Sequence, residues 1–185
     1  MGVPPTDPFE LLGLPVSFDL DQAVLEARHR ELSRALHPDR YVGRPASERR
    51  QALGRAIEVN EAFRLLKDPV RRAERLLARL GVATGEQAER DVAPELLMEI
   101  MELRESLAEL RRAGDAEGIE KLCQRVEHQK NEAMRRLVKG FGEALRPGAA
   151  PNLDALRKEL LPIVVELRYY ARFESEAHAI LDDLS

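Results

Sequence analysis

The sequence predicts an all-α protein with two helical domains, and three observations support that class. Leu, Ala, Arg and Glu dominate the 185 residues, and this mixture favours helix. Apolar residues recur at spacings of three and four through most of the chain, whereas no segment alternates as a strand would. A polar stretch without periodicity, from Gly81 to Ala93, separates four N-terminal helical patterns from three longer ones and predicts a domain boundary.

The first two helices follow from apolar spacing and from the residues at their ends. Phe9, Leu11 and Leu12 predict a short apolar helix that ends near Gly13. A second helix begins after Asp19 or Asp21, either of which can cap it. Its predicted buried face comprises Leu25, His29, Leu32 and Leu36. Its basic residues lie away from that face, at Arg28, Arg30 and Arg34.

The tripeptide His37-Pro38-Asp39 stops the second helical pattern and opens a loop predicted over residues 37–45. Pro38 has no backbone N–H and biases the preceding residue away from helical dihedrals. A Pro-Asp pair after a helix is in itself a common turn sequence. A rigid loop that presents an imidazole and a carboxylate between two helices, however, suits contact with a partner better than enclosure of a substrate.

Two further helices complete the N-terminal domain. The third has Ser47 as its predicted cap and ends at Asp68-Pro69. Its apolar face comprises Ala52, Ala56, Val59, Phe63 and Leu66. A short fourth helix carries Leu76, Leu77 and Leu80 and stops at Gly81.

Residues 94–185 predict an antiparallel three-helix bundle, because the connections between the long patterns are short. The first helix runs from about Pro94 to Arg112, and its predicted buried face comprises Leu96, Ile100, Leu103, Leu107 and Leu110. The second runs from about Ala116 to Leu145. The third runs from about Asn152 to the C-terminus, and Pro162 should kink or locally open it.

Composition excludes several classes of function. A net charge of -4 argues against a nucleic-acid partner, and no apolar run is long enough for a membrane span. Cys123 alone cannot make an internal disulfide or a metal site. No catalytic motif is present, so we predict no enzyme activity, no cofactor and no metal. The absence of a signal peptide pattern predicts a cytoplasmic protein; the oligomeric state stays open, with a monomer favoured.

The N-terminal residues resemble the J-domain of DnaJ-type co-chaperones over about residues 7–80. The resemblance rests on the short first helix, the basic second helix, the His37-Pro38-Asp39 loop and the Ala62-Phe63 pair of the third helix. It implies that the tripeptide contacts a DnaK-class chaperone and stimulates its ATPase. It also implies a basic contact face formed by Arg28, Arg30, Arg34 and Arg40. Two positions depart from the family pattern, since His29 replaces an aromatic residue and Leu36 replaces Tyr.

The rest of the chain resembles HscB-type proteins, which deliver the IscU-type iron–sulfur scaffold to a DnaK/HscA-class chaperone. One stretch that carries this resemblance runs from Asn60 to Leu77, and the other from Leu96 to Glu105. The resemblance implies an L-shaped molecule with a J-domain at 7–80, a connecting segment at 81–93 and a client-binding bundle at 94–185. It implies scaffold contacts at Leu97, Met98, Met101, Glu102, Arg104, Glu105 and Tyr169.

The residues of the helix 94–112 point independently to a client surface. Leu97, Met98 and Met101 exceed what one buried face requires, and charged residues surround them, as in many binding surfaces. The last helix likewise has a surplus of Tyr169, Tyr170 and Phe173. Two alternatives remain: a J-domain adaptor for a different client, or a structural, oligomerising helical protein in which the tripeptide is only a turn.

Overall fold

A computed structural model of the chain describes residues 7–84 and 94–184. Over those ranges the regular structure is helical and there is no strand, which confirms the all-α class. The chain divides into two compact units after Leu76. Residues 85–93, most of the predicted connecting segment, lie outside the described residues, and the predicted domain limits therefore stay predictions.

In the first unit, α1 ends and α2 begins at residues that the sequence predicts. Helix α1 ends at Gly13, whose φ of 62° is the left-handed conformation that glycine adopts readily. The carboxylate of Asp21 caps α2 and accepts a hydrogen bond of 2.8 Å from the backbone N–H of Ala23. Their bounds, with those of the following elements, are α1 Pro8–Leu12, α2 Gln22–Ala35, a 3-10 helix Pro38–Tyr41, α3 Ala46–Lys67 and α4 Pro69–Arg79.

The predicted cap at Ser47 is wrong. Helix α3 begins at Ala46, so Ser47 already lies within its first turn, and Pro45 at the cap position provides no side-chain hydrogen bond. The loop predicted over residues 37–45 is also more ordered than expected. Its first half is the 3-10 helix Pro38–Tyr41, for which Pro38 supplies a suitable first residue because its φ is fixed.

Helix α3 is the central element of the first unit, since both α1 and α2 pack against it. The fully buried side chains come from all three helices and include Phe9, Leu12, Leu25, Val59 and Leu66. The buried face of α2 is narrower than predicted. Leu25 is buried, but His29, Leu32 and Leu36 are only half-buried. Helix α1 ends beside Arg28, so the residues further along α2 lack that cover.

A buried arginine joins α4 to the end of α3. Arg72 is 3% exposed, and its Nη1 donates a hydrogen bond of 2.7 Å to the carbonyl of Leu66. Its guanidinium also lies 5.0 Å from the centre of the Phe18 ring. Burial lowers the pKa of Arg72, opposed by the nearby Asp19 and Asp68 carboxylates. The paired carbonyl and the aromatic face compensate part of the cost of burying this charge.

The second unit is a bundle of three long helices with one short helix. Its helices are α5 Pro94–Ala113, α6 Ala116–Ala144, α7 Leu153–Glu159 and α8 Leu161–Leu184. Its core is a cluster formed by Ile100, Leu103, Leu107, Ile119, Val126, Tyr170, Phe173, Ala177 and Ile180. The buried face predicted for α5 is confirmed, because Leu96 and Leu110 pack against this cluster as well.

Side-chain pairs fix the directions of the three long helices. Lys130 and Arg136 of α6 pair with Glu174 and Glu166 of α8, at 2.5 Å and 2.6 Å, so the residue numbers rise on α6 and fall on α8. Arg104 and Arg111 of α5 pair with Glu176 and Asp183 of α8, each at 3.9 Å. From the first of these two contacts to the second, the residue numbers rise on both α5 and α8. Therefore α5 and α8 run parallel, and α6 runs antiparallel to both.

The opening predicted at Pro162 is confirmed and is larger than a kink. The predicted third helix is two helices, α7 and α8, which are separated at Leu160. Pro162 has no N–H to donate to the carbonyl of residue 158, and its ring crowds that carbonyl, so the helical ladder breaks one turn before it. Among the helices of residues 7–84 and 94–184, none has the length and apolar character needed to cross a bilayer.

Candidate functional site

The tripeptide is exposed at the start of the 3-10 helix. The side chain of His37 is 57% exposed and that of Asp39 is 86% exposed. The backbone N–H of Asp39 donates to Nδ1 of His37 at 3.3 Å, so a neutral ring carries its proton on Nε2. The Asp39 carboxylate lies 3.5 Å from the same nitrogen. The 3-10 helix thus orders the backbone of the tripeptide and leaves both polar groups accessible to a partner.

Three of the four predicted basic residues lie together beside the tripeptide. Arg30, Arg34 and Arg40 are exposed and line an open groove of about 510 Å³ between the outer face of α2 and the 3-10 helix. The groove is also lined by Ala27, Glu31 and Ala35. Two small residues and one carboxylate among three guanidinium groups give it a shallow floor and a net positive charge. Such a groove complements an acidic, protruding surface.

Arg28 differs from the other three arginines because it is half-buried and contacts the end of α1, whereas the ion pair of Arg30 with Glu26, at 3.5 Å, lies within α2. Its Nε donates to the carbonyl of Leu12 at 3.1 Å, and its Nη1 pairs with Glu31 at 2.7 Å. A Cβ placed on Gly13 would lie 2.6 Å from the Arg28 guanidinium, so the close approach depends on glycine there. Arg28 therefore anchors the end of α1 to α2, a role that the sequence analysis missed.

The predicted scaffold residues of α5 form an exposed apolar stripe. Leu97 is 42% exposed, Met98 64% and Met101 70%. Met101 lies three residues after Met98 and four after Leu97, so its side chain neighbours both of them on the helix surface. Side chains of this size are rarely left in water together on a monomer unless they contact a partner, and methionine adapts to a partner's shape. We refer to Leu97, Met98 and Met101 as the α5 stripe.

Tyr169 of α8 belongs beside the α5 stripe. The ion pairs Arg104–Glu176 and Arg111–Asp183 repeat after seven residues on both helices, which is close to two helical turns. Seven residues earlier in the same register, Leu97 lies opposite Tyr169. Tyr169 is half-buried and packs against the core cluster, so the core holds part of its ring while the rest stays accessible. The heptad spacing of these charges in the sequence could have predicted this register.

The polar residues predicted around the stripe are all exposed. Glu102 and Glu105 lie on the solvent side of α5, and Arg104 lies on its α8 side, where it pairs with Glu176. The expected surplus of aromatic residues on the last helix is wrong for two of its three members. Tyr170 is 2% exposed and Phe173 1% exposed, because both fill the core between the long helices, and only Tyr169 remains available.

A second groove, of about 410 Å³, lies between α5, α6 and α8 and is polar. Its lining residues are Glu99, Gln129, Glu132, Arg135, Arg136, Glu166 and Tyr170. The Tyr170 hydroxyl donates to Glu99 at 3.4 Å. Burial, together with the Glu166 and Glu99 carboxylates, raises the pKa of the Tyr170 phenol. Since these groups satisfy one another across three helices, the groove stabilises the bundle and offers no obvious ligand site.

The described residues do not favour a metal site or a reactive thiol. Within residues 7–84 and 94–184, no group of three or more His, Cys, Asp or Glu side chains could hold a metal ion. Cys123 is half-buried and packs against the core cluster, as a small apolar side chain would. Burial, with help from Glu174 and Glu120, raises the pKa of its thiol and keeps it protonated.

Comparison with protein families gives a match over the second unit. A family model described as the HSCB C-terminal oligomerisation domain matches residues 92–178. Among curated proteins, a co-chaperone protein HscB homolog of Haemophilus influenzae is 34% identical over 157 residues, which cover 82% of this chain and 87% of that protein. One from Shewanella halifaxensis is 30% identical and covers 95% of this chain and 97% of its own length.

Solved structures give a match over nearly the whole chain. The chaperone HscB from Vibrio cholerae superposes with a TM-score of 0.81 at 27% identity, covering 97% of this chain and all of that one. The human co-chaperone protein HscB has the same TM-score at 25% identity and covers 96% of this chain and 83% of its own. The similarity therefore includes both units.

Proposed function

The chain belongs to the HscB co-chaperone family, and from that premise we propose that it delivers an IscU-type iron–sulfur scaffold protein to a DnaK/HscA-class heat-shock chaperone. The first unit would contact the chaperone and stimulate its ATPase. The second unit would hold the scaffold. The general role, a co-chaperone of iron–sulfur cluster assembly, is that of the family; the two partners and the division of work between the units are our proposal.

One observation carries the proposal for the chaperone. His37, Pro38 and Asp39 are exposed at the start of a 3-10 helix, directly beside the groove that Arg30, Arg34 and Arg40 line. Charge complementarity across this groove would orient an acidic chaperone surface and speed its encounter. The exposed carboxylate of Asp39 would then contact the chaperone. Arg28 would contribute its positive charge to the same basic face.

The α5 stripe supports the proposal for the scaffold. It places three accessible apolar side chains next to Tyr169, with Glu102, Arg104 and Glu105 around them. An apolar centre with a polar rim is the usual composition of a protein–protein contact, and the few large side chains at its centre carry most of the binding free energy. Residues of the core cluster hold α5 in position behind the stripe.

The chain itself would carry out no chemistry. The proposal requires neither a cofactor nor a metal, because hydrolysis of ATP takes place on the chaperone and the cluster stays on the scaffold. The purified protein should accordingly contain no stoichiometric iron or zinc. It should act as a monomer in the cytoplasm, although the name of the matching family model mentions oligomerisation, and sedimentation would show which state the chain adopts.

The ATPase rate of the chaperone tests both units together. We expect the wild-type chain to raise the steady-state rate of a DnaK/HscA-class chaperone and an IscU-type scaffold to raise it further. Asp39→Asn should abolish both effects without changing helical content. Asp154→Asn, the same change in the first turn of α7, should leave both stimulations at the wild-type level. If Asp39→Asn still stimulates the ATPase, the tripeptide is not the chaperone contact. If addition of the scaffold does not change the stimulated rate, a different client is favoured.

A further inference from the structure

The α5 stripe has opposite charges on its two sides. On the solvent side of α5, Glu102 and Glu105 are exposed. On the α8 side, helical spacing places Tyr169, Arg172 and Glu176 on the edge that faces α5; Arg104 pairs with Glu176 and Arg172 is exposed, so the net charge there is positive. Because α5 and α8 are parallel and in fixed register, this asymmetry is a property of the folded surface and not of one helix alone.

The position of Arg172 follows from its helical spacing. It lies three residues after Tyr169 and four before Glu176, so all three share one edge of α8. That edge faces α5, since Glu176 pairs with Arg104 at 3.9 Å. In the same register, Tyr169 lies opposite Leu97, and Arg172 lies one turn further along, at the level of Met101. Arg172 therefore borders the apolar stripe on the side away from the two glutamates.

We propose that Arg172 is a further contact for the scaffold and that the charged borders of the stripe set the orientation of the bound partner. This inference rests on the proposed function of the second unit. The partner surface that fits has an apolar centre, an acidic group facing Arg172 and a basic group facing Glu102 and Glu105. Complementary charges of this kind select one orientation, because the reversed one would bring like charges together.

Arginine suits this position better than lysine would. Its planar guanidinium can form two parallel hydrogen bonds with one carboxylate, and it is less strongly hydrated than an ammonium group. Arginine is accordingly enriched at the centres of protein interfaces, often beside tyrosine. A basic residue one helical turn after Tyr169, at the border of the stripe, matches that composition, so we expect Arg172 to affect orientation as well as affinity.

The test measures the affinity of the full chain for an IscU-type scaffold by titration calorimetry. Arg172→Glu should weaken binding by about tenfold or more at low salt, because it places a like charge opposite the partner's acidic group. The loss should shrink at high salt, as for any partly exposed charge pair. Arg125→Glu is the matched control: Arg125 is an exposed arginine of α6, away from the stripe, and its reversal changes net charge equally. It should bind like the wild type, and circular dichroism checks that both variants fold.

Two outcomes would overturn the inference, and they differ from failure of the proposed function. In the first outcome, Arg172→Glu binds the scaffold with wild-type affinity, whereas truncation of the α5 stripe to alanine abolishes binding. The stripe would then remain the scaffold site, and Arg172 would not be a contact. Equal losses for Arg172→Glu and Arg125→Glu would show an effect of net charge only. If truncation of the stripe itself changes nothing, the proposed function of the second unit fails as well.

Discussion

The imidazole of His29 stacks on the ring of Phe63, with the ring centres 4.0 Å apart and the planes 13° from parallel. Its Nε2 is also 2.8 Å from Oδ1 of Asn60, so the same side chain makes one stacking and one hydrogen-bonding contact across the α2–α3 hairpin. His29 occupies a position where the sequence resemblance expects an aromatic residue. It can therefore replace the aromatic ring while adding a polar contact.

Replacing His29 should loosen the end of the hairpin that presents the tripeptide. His29→Ala removes both contacts and should destabilise the first unit by about 1–2 kcal/mol. His29→Phe retains the stack and should cost less, although it leaves Asn60 without this partner. Amide hydrogen exchange in α2 reports local opening of this unit separately from the rest of the chain. Equal exchange in His29→Ala and the wild type would show that the stack contributes nothing.

The sequence predicted most of the helices and the buried face of α5 from periodicity and end signals, but the buried face of α2 is narrower than its periodicity predicts. It predicted Gly13, Asp21 and the opening near Pro162 for reasons that are local to each position. It failed where the outcome depended on a neighbour. Whether Tyr170 is surplus or core depends on the space between α5 and α6, which no pattern within α8 reveals.

In the candidate surfaces too, features that lie within one helix could be predicted, whereas those that depend on a neighbouring element could not. The α5 stripe could be predicted, because one helix contains all of it and its apolar residues exceed one buried face. The role of Arg28 could not, since it depends on the carbonyl of Leu12 coming within 3.1 Å of the guanidinium through the turn between α1 and α2. The border at Arg172 likewise requires the register of α5 against α8, which two ion pairs establish.

Gly140 should be intolerant of any side chain. A Cβ there would overlap Cδ2 of Leu160, which is buried at the break between α7 and α8, so Leu160 would have to repack within the core. Gly140→Ala should therefore destabilise the second unit by about 1–3 kcal/mol despite the better helix propensity of alanine. Gly142→Ala is the control, because nothing lies within 4 Å of its Cβ position and it should stabilise the helix slightly. Thermal unfolding compares the two, and equal midpoints would contradict the prediction.

Tyr170 should make the second unit sensitive to high pH. Its pKa is raised in the folded state, chiefly by burial and also by Glu166 and Glu99, so the unfolded chain loses this proton first. The contribution of Tyr170 to stability is then complete below about pH 10, the ordinary tyrosine pKa, and is lost as the pH rises toward the folded-state value. Tyr170→Phe should cost about 1 kcal/mol at pH 8 and progressively less above pH 10. Urea unfolding of Tyr170→Phe and the control Tyr169→Phe at several pH values tests this; parallel curves for Tyr170→Phe and the wild type would refute it.

Truncating the α5 stripe should separate binding from stability. Changing Leu97, Met98 and Met101 together to alanine removes the exposed apolar centre and should weaken scaffold binding by more than about 2 kcal/mol, the scale of hot-spot truncations. The fold should be nearly unaffected, because these side chains are 42–70% exposed and the core residues behind them remain. Val138→Ala with Leu153→Ala removes other exposed apolar side chains of the same unit and serves as the control. Sedimentation of the triple variant also shows whether the stripe drives self-association. Wild-type scaffold affinity in a folded triple variant would place the client site elsewhere.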